Sequence, residues 1–420
     1  MVQDLIQERS WRQQEAVDEI SNKWGKPQTI VGPVLTVPYQ KVVFTYNDDQ
    51  KKDVEHSRTT YYAHFLPEEL DISGAVEPDL RYRGIFKAVV YNTELSISGQ
   101  FQRPDLSELG IHEHILWNDA FISFGVSDLR GIQEQISIDW NGTPHDLEPG
   151  LRVQQVISSG VASSVELPDS SQSRTIPFSM KVVTNGSSFL EFTPVGKVTT
   201  VDLSGPWADP KFQGAFLPDQ REINEDFSAS WKVLHLNRSY PQSFLGSRSD
   251  IIESSFGVEL LLPVDEYHKN DRAAKYAVMF ISLTFMVFFF IQVLNKVRIH
   301  PVQYLLVGLG LCVFYTLLLS ISEHLSFTWA YLLSSLAIIL LVSGYSKFVF
   351  KSPKMAWLLF LIMLILYGFI FVIIQMQDYS LLVGSIGLFT ALASAMYLSR
   401  KVEWYGAGSS EKKVTTLQGV

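Results

Sequence analysis

Cysteine is almost absent from this chain of 420 residues, in which Cys312 is the single example. One cysteine excludes a disulfide framework, and it also excludes a metal site built from several thiolates. Cys312 lies inside an apolar run. A chain of this length buries enough surface to be stabilised by its hydrophobic cores alone.

Basic residues are also scarce, with 34 Lys and Arg against 43 Asp and Glu. The deficit lies in residues 1–275, which hold 25 basic and 39 acidic residues, whereas residues 276–420 hold nine and four. The acidic first part excludes nucleic-acid binding as the default function, because the neutralisation of phosphates requires positive charge. A chain that is 47% hydrophobic and 13% aromatic is not disordered.

Charged residues are missing from five apolar runs in the last third of the chain. The runs are residues 276–294, 304–322, 328–345, 355–374 and 381–398. Each is close to the roughly 20 residues that a helix needs to cross the hydrocarbon core of a membrane. The sequence therefore predicts a bundle of five transmembrane helices over residues 272–399. Consecutive helices are antiparallel, because their connections are short.

The segments that connect these runs alternate in charge. The first connection, the third connection and the C-terminal tail are positive, through Lys296, Arg298, Lys347, Lys351, Lys354, Arg400 and Lys401. The second and fourth connections carry Glu323 and Asp378 instead. Since positively charged loops remain in the cytoplasm, we expect a cytoplasmic tail over residues 400–420. The large N-terminal part is then expected on the opposite face of the membrane.

Residues 1–24 have the periodicity of a polar, amphipathic helix. Its apolar stripe consists of Leu5, Ile6, Trp11, Ala16, Val17 and Ile20. Gly25 and Pro27 are typical of the end of a helix.

Residues 25–271 consist of short β-type runs that are separated by turn residues, such as AVVYNTELSI (88–97) and ASWKVLHL (229–236). Strands without long helices between them indicate a β-rich, sandwich-like domain. Asn185-Gly186 predicts a two-residue hairpin, and Asn141-Gly142 is a second, weaker candidate. The predicted fold class is a multi-domain membrane protein, in which a β-rich extracytoplasmic domain precedes an α-helical bundle of five transmembrane helices.

Two histidines, His112 and His114, flank Glu113 and would share one face of a strand. Two imidazoles on one face are a possible beginning of a zinc site. No other His or Cys lies at a recognisable motif spacing, and we therefore favour a solvated strand. No metal site is predicted.

Ser322, Glu323 and His324 contain the residue types of a catalytic triad. Neighbours in sequence point in different directions, whereas a nucleophile and its base must lie within hydrogen-bonding distance. These residues are better explained as the end of the second spanning helix. No catalytic residue and no cofactor are predicted.

The predicted spanning helices lack Asp, Glu, Lys, Arg and His in their cores, whereas ion-coupled transporters usually carry at least one such residue. Four glycines, Gly308, Gly310, Gly344 and Gly384, would suit either broken helices around a transport site or close packing. A transporter of a small molecule or lipid is therefore the alternative function, and an extracytoplasmic hydrolase is a third.

Eight longer segments carry a family resemblance, in order, along nearly the whole chain. They are IVGPVLTVPY (30–39), RYRGIFKAVVY (81–91), WNDAFISFGVSDLRGI (117–132), GPWADPKFQGAFLP (205–218), WKVLHLNRSYPQ (231–242), PVDEYHKNDRAAKYAVMFISLTF (263–285), RIHPVQYLLVGLGLCVFYTLLLSISEH (298–324) and SRKVEWY (399–405). In these segments the chain resembles the CreD family of bacterial inner-membrane proteins, which belongs to the Cre two-component regulon.

The resemblance implies a multi-pass protein of the bacterial inner (plasma) membrane that is linked to cell envelope integrity. The family is induced by the Cre sensor–regulator pair, and its overproduction is associated with tolerance to E-group colicins. No catalytic or cofactor residues are carried over from it. The leading hypothesis is a non-enzymatic protein whose periplasmic domain acts through an envelope protein partner, with no nucleic acid involved.

The resemblance also implies a spanning helix ahead of residues 1–24, because family members usually begin with one. Residues 1–22 cannot export the domain themselves, because their charged residues leave no apolar stretch of the length that a signal peptide needs. We therefore expect the native chain to begin upstream of Met1, with residues 1–24 linking that helix to the β-rich domain.

Overall fold

The computed structural model describes residues 2–47, 52–112, 114–168, 174–248, 250–261, 266–295, 297–376 and 379–400. Glu113, Lys296, Asp378 and the tail from Lys401 onwards lie outside these ranges. The chain forms two compact units. One is Gln13–Pro263, and the other consists of Met1–Arg12 with Val264–Val420.

The described residues form eight α-helices. They are α1 (Val2–Trp24), α2 (Asp250–Glu253), α3 (Glu266–Lys275), α4 (Ala277–Leu294), α5 (Pro301–Ser322), α6 (Phe327–Phe350), α7 (Pro353–Gln375) and α8 (Ser380–Ser399). Short 3₁₀ turns lie at Ser107–Leu109, Trp117–Asp119, Leu129–Gly131 and His235–Asn237.

Seventeen strands lie in the described part of the first 263 residues. They are β1 (Gln28–Asn47), β2 (Lys52–Phe65), β3 (Glu69–Arg83), β4 (Phe86–Gln102), β5 (Phe121–Val126), β6 (Ser137–Trp140), β7 (Thr143–Asp146), β8 (Glu148–Pro149), β9 (Gly160–Ser164), β10 (Thr175–Ser187), β11 (Phe189–Phe192), β12 (Val198–Gly205), β13 (Pro210–Gly214), β14 (Gln220–Ile223), β15 (Phe227–Leu234), β16 (Ser243–Leu245) and β17 (Phe256–Leu260).

These strands form two mixed sheets, in which most neighbours are antiparallel. The first sheet has the order β13-β17-β11-β1-β5-β9-β8, and β2 joins it by pairing with both β1 and β16. The second sheet has the order β14-β15-β12-β3-β4-β10-β6-β7. The pairs β1–β11 and β3–β12 are parallel. A β-rich domain followed by helices confirms the predicted fold class.

The core of the β-rich unit lies between the two sheets. Strand β15 alternates buried and less buried positions, as a strand with one face toward a core does. Its Trp231, in the second sheet, has its ring centre 5.7 Å from that of Phe212 and 5.6 Å from that of Phe256, both in the first sheet. Contacts of this kind make the unit sandwich-like, because side chains from both inner faces share one core.

The Asn141-Gly142 turn is confirmed. Asn141 and Gly142 join β6 to β7 and have φ values of 51° and 82°, which a two-residue hairpin turn of type I′ requires at both central positions.

The hairpin predicted at Asn185-Gly186 is wrong. Strand β10 runs through both residues to Ser187, and β11, which follows, belongs to the other sheet. The Asn185 side chain accepts a hydrogen bond from Asn92 on β4, at 2.9 Å. The chain instead turns at Ser188, whose φ is 60°.

Helix α1 confirms the predicted helix at the start of the chain, although its stripe is only partly buried. Ile6 packs with Ala274 and Leu319, whereas Trp11 is 70% exposed. In the β-rich unit, the Trp24 indole donates a 3.2 Å hydrogen bond to the Tyr91 carbonyl oxygen.

Five helices, α4 to α8, are long and apolar enough to cross a membrane. This finding confirms the five predicted spans. Helices α5 and α7 begin earlier than the apolar runs suggested, at Pro301 and Pro353. Proline suits the first turn of a helix, because its missing N–H would have no partner there.

Candidate functional site

His112 and His114 lie in an irregular segment before β5 and not on a strand, so their predicted placement on one strand face is wrong. Both side chains are exposed, and His114 has a φ of 57°. The intervening Glu113 lies outside the described residues. Within the ranges that the structure describes, no group of three or more His, Cys, Asp or Glu is placed to hold a metal ion.

Ser322, Glu323 and His324 mark the end of α5, and each has a different environment. The Ser322 hydroxyl accepts a 2.7 Å hydrogen bond from the Asn270 side chain and donates one to the Leu319 carbonyl oxygen. Glu323 pairs with Arg9, at 3.3 Å, and His324 is exposed. The three side chains are therefore not assembled for catalysis.

The interior of the helical unit is rich in hydroxyl groups. The Tyr331 hydroxyl on α6 donates a 2.8 Å hydrogen bond to the backbone oxygen of Tyr367 on α7. The hydroxyls of Ser334, Ser343 and Tyr367 are buried without a partner among the described groups. Among its described residues, the interior has hydroxyls but no buried Asp, Glu, Lys, Arg or His. Such an interior suits helix packing better than ion coupling.

An apolar groove of about 580 Å³ lies between α4, α7 and α8. Its lining includes Met286, Phe290, Phe369, Gly387 and Ala391. One threonine hydroxyl and one serine hydroxyl line its α8 side, and each donates a hydrogen bond to a carbonyl oxygen of its own helix. The groove therefore suits a hydrocarbon chain rather than a polar ligand.

A polar groove of about 350 Å³ lies at one end of the second sheet. Lys197 pairs with Glu68 at 2.9 Å, and the Gln100 amide donates to Glu69 at 2.8 Å. Both carboxylates already have partners, and the exposed Leu236 lies at the rim. The described residues of this groove offer hydrogen-bonding groups, but none of them is a buried unpaired group that would indicate a ligand.

A buried histidine, His64 on β2, was not singled out from the sequence. Its side chain contacts Thr36, Gln155 and Phe244, from three separate parts of the chain. Burial lowers the pKa of His64, and the hydrogen bond with Gln155 offsets this effect only in part. A single histidine in a β-type run carries no local signal of such an environment, because all three contacts depend on the tertiary fold.

Comparisons with known proteins identify relatives along almost the whole chain. The sequence matches the family described as "Inner membrane protein CreD" over residues 1–405. It is 33% identical over 425 aligned residues to the inner membrane protein CreD of Escherichia coli strain K12. That alignment covers 99% of this chain and 93% of the relative.

Proposed function

The chain belongs to the CreD family of inner membrane proteins, and we propose that it is a non-enzymatic protein that contributes to cell envelope integrity through its β-rich domain. The domain is proposed to lie in the periplasm and to act on a protein partner of the envelope. The C-terminus is proposed to lie in the cytoplasm.

The orientation is supported by the alternating charge of the connections. Arg298 lies between α4 and α5, Lys351 lies between α6 and α7, and Arg400 follows α8. The connection between α5 and α6 carries Glu323 and no Lys or Arg. Positive residues thus follow every second crossing, as expected for loops on the cytoplasmic side.

Cysteine labelling tests the orientation. In a Cys312→Ser background, single cysteines replace Arg298, Lys351, His324 or the exposed Glu108 of the β-rich unit. Cells with a permeabilised outer membrane are treated with an impermeant maleimide. We expect labelling at positions 324 and 108 and none at 298 or 351 until the inner membrane is opened. Labelling at position 298 or 351 while the inner membrane is intact would contradict the proposed orientation.

A non-enzymatic role is supported by the separation of the residue types that catalysis would need. Ser322 bonds to Asn270, Glu323 pairs with Arg9 and His324 is exposed. The two carboxylates of the polar groove are already paired. The family is also named as a membrane protein family and not as an enzyme family.

The groove between α4, α7 and α8 favours a second candidate, a transporter of a lipid or small apolar molecule. The Ala391→Phe variant would fill this groove, whereas Leu392→Phe changes an exposed neighbour on the same helix that does not line it. Both variants are expressed in a strain that lacks the protein, and leakage of a periplasmic enzyme in bile salt is measured.

If the helices serve as an anchor, Ala391→Phe and Leu392→Phe restore the envelope to the same extent. Failure of Ala391→Phe alone, at equal protein level, would favour transport. Proximity labelling from the β-rich domain, compared with a strain that lacks the protein, then identifies the proposed partner. A domain that enriches no envelope protein would contradict action through a partner.

A further inference from the structure

One row of directly paired residues crosses the first sheet. Phe244 on β16 pairs with His64 on β2, and His64 pairs with Thr36 on β1. Thr36 in turn pairs with Phe121 on β5. Residues that are directly opposite in neighbouring strands project from the same face. His64 therefore lies in the middle of the row, where its side chain is 2% exposed.

Both ring nitrogens of His64 have hydrogen-bonding partners. Nε2 lies 2.9 Å from the Gln155 side-chain oxygen, and Nδ1 lies 3.0 Å from the Thr36 hydroxyl oxygen. The Gln155 oxygen only accepts, so Nε2 carries the hydrogen and Nδ1 accepts from Thr36. This arrangement satisfies a neutral imidazole completely.

An arginine lies at each end of the row. The Arg152 guanidinium lies over the Phe121 ring, at 5.2 Å, and donates to the Ser164 hydroxyl. The Arg248 guanidinium lies over the Phe244 ring, at 5.8 Å, and is paired with Asp250. No carboxylate is hydrogen-bonded to His64 within the described part of the unit. A proton on Nδ1 would thus create a buried cation with no hydrogen-bonded carboxylate to balance it.

His64 is hydrogen-bonded to an irregular loop, residues 150–159. Its ends meet where the Gly150 N–H donates to the Gly160 oxygen. Gln155 ties the loop to His64 through its side chain, and its backbone oxygen accepts from the Arg248 N–H at 3.1 Å. Val156 and Ile157 of the loop are buried. Opening of the loop would therefore hydrate His64 and expose apolar side chains.

We propose that His64 is an acid-sensitive latch: a proton on Nδ1 displaces the hydrogen bond from Thr36 and creates a buried charge, which becomes hydrated when the loop of residues 150–159 leaves the first sheet. The step adds one solvent proton to the imidazole and breaks no covalent bond. Local opening relieves the buried charge at a smaller cost than unfolding of the whole unit. The latch rests on the proposed function only through the proposed periplasmic location, because a periplasmic domain is exposed to acid that crosses the outer membrane.

The direction of the effect follows from the lowered pKa of His64 in the closed state. A solvated histidine has a pKa of about 6.5, so acid favours the open loop. The closed loop is therefore most stable at a pH above about 6.5, and its stability decreases as the pH falls toward the pKa of His64 in the closed state. Between pH 7.5 and pH 5.0 the opening equilibrium rises by at most about 30-fold, because the open form binds the proton first.

Hydrogen exchange of the purified full chain in lipid nanodiscs tests the latch, with rates corrected for the intrinsic effect of pH. We expect peptides from residues 150–160 and 243–248 to lose protection by several-fold, and up to about 30-fold, between pH 7.5 and 5.0. Peptides from the β3–β4 pair should not respond. The exposed-site variant His112→Gln should behave as the wild type.

Two variants change the latch in different ways. In His64→Gln the loop should exchange equally at both pH values, because no group titrates there. In Gln155→Glu a carboxylate beside the imidazole stabilises its charged form, so the loop should stay protected at pH 5.0. An acid response that persists in His64→Gln, or an unchanged response in Gln155→Glu, would overturn the latch. These results are independent of the cysteine labelling, which tests the proposed location.

Discussion

The Tyr91 ring occupies the space in which a side chain at Gly186 would stand. A β-carbon on Gly186 would lie 2.3 Å from the Tyr91 hydroxyl oxygen. That hydroxyl donates a 2.7 Å hydrogen bond to the backbone oxygen of Phe189. Tyr91 belongs to the second sheet and Phe189 to the first. The glycine therefore allows one tyrosine to connect the two sheets.

Gly186→Ala is expected to destabilise the β-rich unit by about 1–3 kcal/mol, because the new methyl group must displace a packed aromatic ring. The free energy of unfolding is measured from urea titrations of the full chain, followed by tryptophan fluorescence. The control is Gly84→Asn, at a turn with open space and a φ of 61°, which asparagine tolerates. Equal stability of the two variants would contradict the role of Gly186.

The same glycine shows why one hairpin was predicted wrongly. Asn-Gly is a strong turn signal because both residues tolerate positive φ, and Asn141-Gly142 uses it in that way. At Asn185-Gly186 the glycine is needed for close packing, with extended backbone. The sequence alone does not distinguish a glycine in a turn from a glycine in close packing. The distinction requires knowing that Tyr91 lies against Gly186 in the folded chain.

The five spans were predictable because their signal is local, an uncharged run of about the thickness of the hydrocarbon core. The β-rich class was predictable from the run length and turn residues of residues 25–271. The environment of His64 was not predictable, because its contacts come from distant parts of the chain. They lie on β1, on β16 and in a loop about 90 residues after His64. The order of strands in the two sheets likewise depends on long-range pairing.

Asp128→Asn is expected to destabilise the β-rich unit at pH 7. Burial would raise the pKa of the Asp128 carboxyl, but hydrogen bonds from the Arg130 side chain and the Lys26 N–H outweigh this effect and lower it. The bond from the Lys26 N–H, which follows α1, measures 3.0 Å. Hydrogen bonds to charged groups contribute roughly 1.5–3 kcal/mol each, and we expect a loss in that range.

The stabilisation by the Asp128 carboxylate should depend on pH, and the lowered pKa gives the direction. A lowered carboxyl pKa in the folded state stabilises the unit above the unfolded value of about 3.9, and the contribution disappears as the pH falls through the folded value. The difference in unfolding free energy between wild type and Asp128→Asn should therefore be constant from pH 7 to 5 and shrink below pH 4. Asp146→Asn, at an exposed position on β7, should show no such difference.

Ile6→Asp is expected to release the first turns of α1. Ile6 is 6% exposed and packs with Ala274 and Leu319, whereas its neighbour Leu5 is 36% exposed. A carboxylate at position 6 would be buried among apolar groups, which costs several kcal/mol unless the helix moves away. Hydrogen exchange of residues 2–12 should accelerate in Ile6→Asp and stay close to wild type in Leu5→Asp. Equal acceleration in both variants would show that charge alone, and not burial, disrupts the helix.

Of the two tyrosines in the core of the helical unit, Tyr331 and Tyr367, only Tyr331 should stabilise the unit through its hydroxyl group. Tyr331→Phe removes the 2.8 Å hydrogen bond to the Tyr367 backbone oxygen. Hydrogen bonds between helices in membranes contribute about 0.6 kcal/mol on average and at most about 1.7 kcal/mol. Tyr331→Phe should therefore lower the stability of the helical unit by an amount within that range.

Tyr367→Phe removes a hydroxyl that has no partner among the described groups, although its ring lies 4.3 Å from that of Phe280 and 5.0 Å from that of Phe314. The aromatic packing is retained in the variant, and a buried group without a hydrogen bond is lost, which is neutral or stabilising. Unfolding in increasing mole fractions of dodecyl sulfate measures both variants in the same micelles. A destabilised Tyr367→Phe would mean that the hydroxyl binds a group outside the described contacts, such as an ordered water molecule between α6 and α7. Because the two substitutions remove the same atom from neighbouring buried rings, a loss of stability in Tyr331→Phe alone reports the hydrogen bond itself and not the loss of a tyrosine.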